Sequence, residues 1–576
     1  MADVAHESPL VNELENSRPT QTTLSPGLIA SLAAVPILEA CGGGGGGSSS
    51  SSPVSSVGGA STSTSAGSAP VASLTQSEAA RFLLQAGLAA SDADIQFVQA
   101  NGKEAWINQQ ASLVPSISRV DWLVASSYDV AANMNSETGL NNVLWHHLIS
   151  EPNQFVQRIA LFWSEFFVVS ILGLPVAWRQ FMAASYMDTL EKNALGNFKD
   201  LLKAVTLSPA MGEYLSLAGS QKADTATSRH PDENYAREVM QLFTIGLYQL
   251  NLDGSPVLGS DGQPIPTYNE ADVMGLAAAL TGWNFSGSNA NYNYAITPMV
   301  MNENVHQSTT NNVFLGVTIP SGTTGAKSLD LIITALFNHP NVAPFVSKQM
   351  IQRLVSSNPS ASYVSRVAKI FNNNGAGVRG DLLAVVKAVL LDSEASQDVT
   401  TSIGKIREPM LRLVQWARTF NATTTTSVWG IGDTSDPSSR LNQSPMRSPT
   451  VFNYFEPNYS PPNFSLNSQK LLAPEMQIIN ESSAVGYLNY LQQFVTSGAS
   501  DVVASYSAEI AIGANASQLI ARLNLLLTAN QLSSSTLNAI TTSINAISSS
   551  SAASILNRVR AAVFLVMASP DYQVMR

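Results

Sequence analysis

From Ser73 onward, apolar residues recur three and four positions apart, the period of helices that turn one face to a core. Ser77 to Leu84 opens the first such helix, with Thr75 as its N-cap, and Ser91 can cap a second over Asp92 to Asn101. The same spacing runs through 141–167, 181–202, 328–338, 342–356, 381–391 and 409–420, and returns in 519–527 and 558–569. Strand signals are few. The clearest lies between Tyr248 and Tyr268, where Asp253-Gly254 and Asp261-Gly262 flank short β-prone segments and predict a hairpin inserted between helices. Residues 286–312 and 421–462 show no period and predict irregular loops. The pattern therefore predicts a mainly α fold: a large multi-helix body over 73–576 with a small β-hairpin insertion and long irregular loops.

The first 72 positions follow another logic. Leu24 to Leu38 is an apolar run shorter than the roughly 20 residues of a membrane-spanning helix, but of the length of a signal-peptide core. Leu38-Glu39-Ala40-Cys41 follows, then a Gly/Ser/Thr-rich stretch to 72 with little aliphatic bulk. Leu38, Ala40 and Cys41 resemble the lipobox of bacterial lipoproteins, which implies that the Cys41 thiol is acylated. Residues 1–41 thus read as a signal peptide with a lipobox-like end, and 42–72 as a disordered linker. The expected location is the cell envelope, reached by export and held by a lipid anchor, in the outer membrane if the cell has one. Glu39 and the acidic leader (Asp3, Glu7, Glu13 and Glu15 against Arg18) depart from the usual pattern.

Composition narrows the partners. Hydrophobic residues make up 45% of the chain and charged ones only 12%, so the core is ample and the polar surface rests on Ser, Thr, Asn and Gln. The 41 acidic residues outnumber the 30 basic ones, for a net charge of −11 with no Lys/Arg run, which argues against nucleic-acid binding. A single cysteine leaves no intrachain disulfide.

The most distinctive stretch is Arg229-His230-Pro231-Asp232-Glu233-Asn234-Tyr235-Ala236-Arg237-Glu238, continuing to Gly246. Pro231 suits a first helical turn, Asp232 and Glu233 its positive end, and Ala236, Val239, Met240, Phe243 and Leu247 form an apolar stripe. A second helix is expected after the hairpin, capped by Asn269 with Asp272 three residues on, and closed by Thr281-Gly282-Trp283. Together these residues resemble the domain of unknown function 1800 family, whose hallmark is Asn-Glu-Asn-Tyr-Ala-Arg-Glu, then Leu-Phe-Thr-x-Gly and an Ala-rich helix ending Leu-Thr-Gly-Trp. Further matches are His306 with Phe314-Leu315-Gly316, the helix from His339-Pro340 to Arg353, Lys405 to Pro409, and Ala568 to Tyr572. The resemblance implies an exported bacterial protein of unassigned activity, with a sulfatase-like neighbour as a candidate partner. Relatives often carry Phe-Trp-His-Asn-His-Phe; here the stretch reads Phe162-Trp163-Ser164-Glu165-Phe166-Phe167, so any metal site on those histidines is altered. His146 and His147 lie upstream, but adjacent helical residues point in different directions and are not expected to replace them.

Glu233, Asn234, Arg237 and Glu238 are the catalytic candidates, and His230, Asp272, Trp283 and His306 the binding candidates. Carboxylates and imidazoles together can relay protons or hold a divalent metal. The opposing expectation is an ion-pair lattice in which Arg237 neutralises both glutamates. His339-Pro340 and Arg407-Glu408-Pro409 read as helix entrances, and the aromatic run Phe452 to Tyr459 as loop packing in preference to a sugar platform. The leading expectation is binding or assembly with an envelope partner. The alternative is a surface hydrolase, metal-assisted, acting on a polysaccharide.

Overall fold

The computed structural model describes residues 74–396 and 404–575; Cys41, the leader and the linker lie outside them. Thr75 begins the order. Its Oγ1 accepts the Glu78 amide while Glu78 accepts the Thr75 amide, a reciprocal cap that starts α1 (Gln76–Ala86). Ser91 caps α2 (Asp92–Asn101) by accepting the Asp94 amide on its Oγ, and α3 (Lys103–Ser112) and α4 (Arg119–Ala125) follow.

The apolar period over 141–167 does not form one helix. It divides into α5 (Leu140–Ser150) and α6 (Gln154–Phe166), because Pro152 drives Glu151 out of helical geometry to ψ 135°. The period over 181–202 divides similarly into α7 (Arg179–Asn193) and α8 (Phe198–Leu207), the latter capped by Asn197. Then come α9 (Pro209–Tyr214), α10 (Asn234–Gln241), α11 (Glu270–Leu280), α12 (Asn293–Ile296), α13 (Gly325–Asn338), α14 (Val342–Leu354), α15 (Ala361–Asn372) and α16 (Leu382–Leu390). The chain closes with α17 (Pro409–Thr419), α18 (Ser465–Ser468), α19 (Glu481–Ser497), α20 (Ser507–Ile512), α21 (Ala516–Thr528), α22 (Ser534–Asn545), α23 (Ala552–Ala568) and α24 (Pro570–Gln573). The fold is mainly α, as the periodicity predicts.

Among the described residues, strands occur only as short antiparallel pairs. They are β1 (Trp283–Asn284) with β2 (Val300–Met301), β3 (Asn312–Phe314) with β4 (Val317–Ile319), β5 (Lys405–Ile406) with β8 (Val574–Met575), and β6 (Thr423–Thr424) with β7 (Val502–Val503). The predicted hairpin survives as isolated bridges, Tyr248 to Pro266, Leu250 to Pro256 and Leu258 to Pro264. Its prolines remove donors that a regular ladder needs, while Gly254 and Gly262 take positive φ at the turns.

Two apolar clusters make up the interior. The larger gathers residues chiefly from α1 to α16, the smaller from α17 and α19 to α24. Helices α5 and α6 serve both: Leu144 and Phe162 belong to the first cluster, Trp145 and Leu161 to the second. Every residue of α6 except Ser164 is buried, so its charges Arg158 and Glu165 lie in the interior. No helix among the described residues is long and apolar enough to cross a membrane.

Candidate functional site

The distinctive motif starts its helix later than Pro231 suggests. Asp232 Oδ1 accepts the Asn234 amide at 2.9 Å in a local turn, and α10 begins at Asn234 with Glu233 as its N-cap residue. Tyr235, Ala236, Val239 and Met240 then face the core, where Tyr235 and Thr206 share a hydroxyl contact of 2.7 Å. Phe243 is buried as the stripe predicts, but Leu247 is 50% exposed. Gly246, at φ +72°, turns the chain away before it and sends Leu247 into the hairpin.

Arg237 is the centre of a solvent-facing triad. Its Nη2 donates to Glu270 Oε1 at 3.1 Å and lies 3.4 Å from Glu233 Oε2. The three side chains are 37%, 62% and 38% exposed. The neutralised partners are thus Glu233 and Glu270, where the sequence suggested Glu233 and Glu238. Glu238 points inward instead: it is buried, its Oε2 has no hydrogen-bond partner, and burial raises its pKa against the pull of Arg237.

The other predicted residues do not converge with these. His230 and Asn234 are exposed. Asp272 completes the Asn269 cap with Oδ2, and its Oδ1 accepts the Leu315 amide at 2.7 Å, tying the β3–β4 turn to α11. His306 is buried, with Nδ1 2.8 Å from the Thr281 carbonyl and Nε2 3.3 Å from Ser328 Oγ. Trp283 is buried in β1, and its indole nitrogen has no partner. The ligand-type atoms of Asp272 and His306 are therefore already engaged within the fold.

A second concentration of charge escaped the sequence reading. Arg158, Glu165, Arg353, Lys405, Glu408 and Glu475 are each at most 5% exposed. Arg158 Nη2 and Lys405 Nζ both donate to the Arg353 carbonyl at 2.7 Å. Lys405 Nζ also stands 3.2 Å from Glu475 and 3.5 Å from Glu408, whose other oxygen accepts Gln443 at 2.8 Å. Burial opposes ionisation of Glu408, yet Lys405 and its neighbours outweigh it and hold the carboxyl at about 2. Burial, then the charge of Glu408, pushes Glu165 the other way, well above the carboxylate range. Two small cavities adjoin the network, of about 30 Å³ beside Arg158, Lys405 and Glu408, and about 10 Å³ beside Ser164 and Glu165. The first has room for about one water molecule. Glu408 is also the N-cap residue of α17 and Pro409 its first helical residue, so the predicted helix entrance is part of this network. One signal was present in the sequence: Arg158 and Glu165 are the two charges, seven positions apart, in a helix that otherwise carries none.

Fold and surface define a large helical protein with an ion-paired motif at its surface and a charged seam inside. The model of the family described as protein of unknown function (DUF1800) matches residues 81–574, and the chain belongs to that family. No curated protein and no solved structure matches it.

Proposed function

We propose that this chain is an exported lipoprotein of the cell envelope, anchored through Cys41, that binds an envelope partner through the face made by α10 and α11. The observation that supports this reading is the Arg237–Glu233–Glu270 triad, whose three charged side chains are all partly open to solvent. Met274, one turn beyond Glu270 on α11, is 52% exposed, and Leu247 and Tyr248 are 50% and 47% exposed. Thr267 ties Leu247 and Gly246 to the entrance of α11 through its amide and hydroxyl. Exposed Met, aromatic and Arg side chains edged by polar groups are the composition of interface centres. With two carboxylates to one guanidinium, the face suits a partner with an apolar patch rimmed by Lys or Arg, and a sulfatase-like envelope protein is the partner class we favour.

The test places a photo-crosslinking residue at Met274 in cells, with one at exposed Val378 as control. A single sulfatase-like adduct formed from position 274 alone supports the reading. No adduct, or the same adducts from both positions, overturns it.

One observation favours a second reading, a surface hydrolase acting on a polysaccharide. Glu238 is a buried carboxyl with an unpartnered oxygen and a raised pKa, the condition of a general acid. Glycan turnover by the native protein that is unchanged in Glu238→Gln rules this version out.

A further inference from the structure

We propose that His146, His147 and Glu151 hold a divalent cation of the zinc class at the C-terminal end of α5. One donor atom from each of the three lies within 4.8 Å of the others. His147 is fully buried, and neither of its ring nitrogens has a hydrogen-bond partner; the Nδ1 of His146 is buried and unpartnered too. Buried imidazole nitrogens are ordinarily satisfied, so orphaned nitrogens on both rings beside a carboxylate point to a ligand that accepts one lone pair from each ring.

The neighbouring residues on the helix do reach a common point. Their side chains leave the backbone in different directions, yet the two rings come to 5.4 Å between centroids at 76°, an edge-to-face arrangement. The His146 ring is fixed between two indoles, Trp122 at 5.8 Å and Trp429 at 5.3 Å. Glu151 joins them because Pro152 ends the helix at that residue. Its carboxylate is oriented by Ser116, whose hydroxyl donates to Oε1 at 2.5 Å and whose amide donates to Oε2 at 2.7 Å. Such outer contacts fix metal ligands in place. Arg418 clamps the helix end, donating to the carbonyls of Leu148 and Glu151 at 2.5 and 2.9 Å.

Charge and chemistry agree with the assignment. Glu191 Oε2 lies 3.7 Å from His147 Nδ1, and Arg119 bridges Glu191 and Asp188. Around the site, Glu151, Glu191 and Asp188 stand against Arg119 and Arg418, which leaves one excess negative charge for a cation. Two imidazoles and a carboxylate select zinc, cobalt or nickel over calcium or magnesium. Donors up to 4.8 Å apart surround a point about 2.8 Å from each, and small ring rotations bring this to the roughly 2.1 Å of a zinc bond. Three protein ligands leave a fourth position for water.

The experiment uses the whole protein without a polyhistidine tag, loaded with zinc or with cobalt and dialysed. We expect one equivalent of zinc, and with cobalt a visible d–d spectrum of low-symmetry coordination. His147→Ala and Glu151→Gln should lose the cation, and Ser116→Ala should bind it about tenfold more weakly. His146→Gln, at a half-buried position, should lose the cobalt spectrum while the folded circular dichroism persists. A wild-type protein that binds no stoichiometric cation overturns the proposal, and so does a His146→Gln variant that binds as tightly as wild type.

Discussion

Arg237 reaches across 33 positions of chain to lay its guanidinium on the Glu270 carboxylate, joining the first turns of α10 and α11 at the surface. Exposed pairs of this kind contribute little to folding. Arg237→Ala should therefore leave the thermal midpoint nearly unchanged while weakening partner binding. A large fall in the midpoint, followed by circular dichroism, would show that the triad is there for stability.

Close packing beneath the same helix gives a sharper stability prediction. Gly275 on α11 faces β3 so tightly that an added Cβ would sit 1.8 Å from the Val313 carbonyl oxygen. Alanine is normally the better helix former, but here backbone must move. Gly275→Ala should cost about 3 kcal/mol in urea unfolding, the upper part of the overpacking range.

The buried network should respond to removal of its cation. Lys405→Met leaves Glu408 and Glu475 without their lysine in a water-poor interior, and the loss should be about 3–5 kcal/mol. Adding Glu475→Gln should restore part of it, and a double-mutant cycle in denaturant measures the coupling.

Glu165 provides the pH dependence. Its folded pKa lies above the unfolded value of about 4.3, so the unfolded chain loses this proton first. The group's stabilising contribution is complete below that value and is lost as pH rises from there toward the folded pKa. Glu165→Gln removes this loss and keeps a neutral side chain. Relative to wild type, the variant should gain stability as pH rises above about 4 toward the folded pKa, measured by urea midpoints; a flat difference would contradict the raised pKa.

Much of the helical frame could be read from local chemistry. Thr75 with Glu78 and Asn269 with Asp272 announce their caps within four residues, and the structure shows both. The division of 141–167 was legible in Pro152, although the apolar period on either side concealed it. The network was not legible, because Lys405 and Arg158 meet at the carbonyl of Arg353, 52 and 195 positions away. For the same reason the motif's charges were assigned to the wrong neighbour: Glu238 is adjacent in sequence to Arg237, but Glu270 is adjacent in space. Helical spacing alone also does not show that donor atoms of His146, His147 and Glu151 come within 4.8 Å of one another, since that depends on how each side chain rotates.

The affinity of the partner crosslinked at Met274, measured for the wild-type protein and for Arg237→Ala, tests the docking face most directly. A loss of at least about tenfold, typical of an interface arginine at the centre of contact, is the predicted result. Equal affinity in a folded Arg237→Ala variant would contradict it and remove α10 and α11 as the binding face.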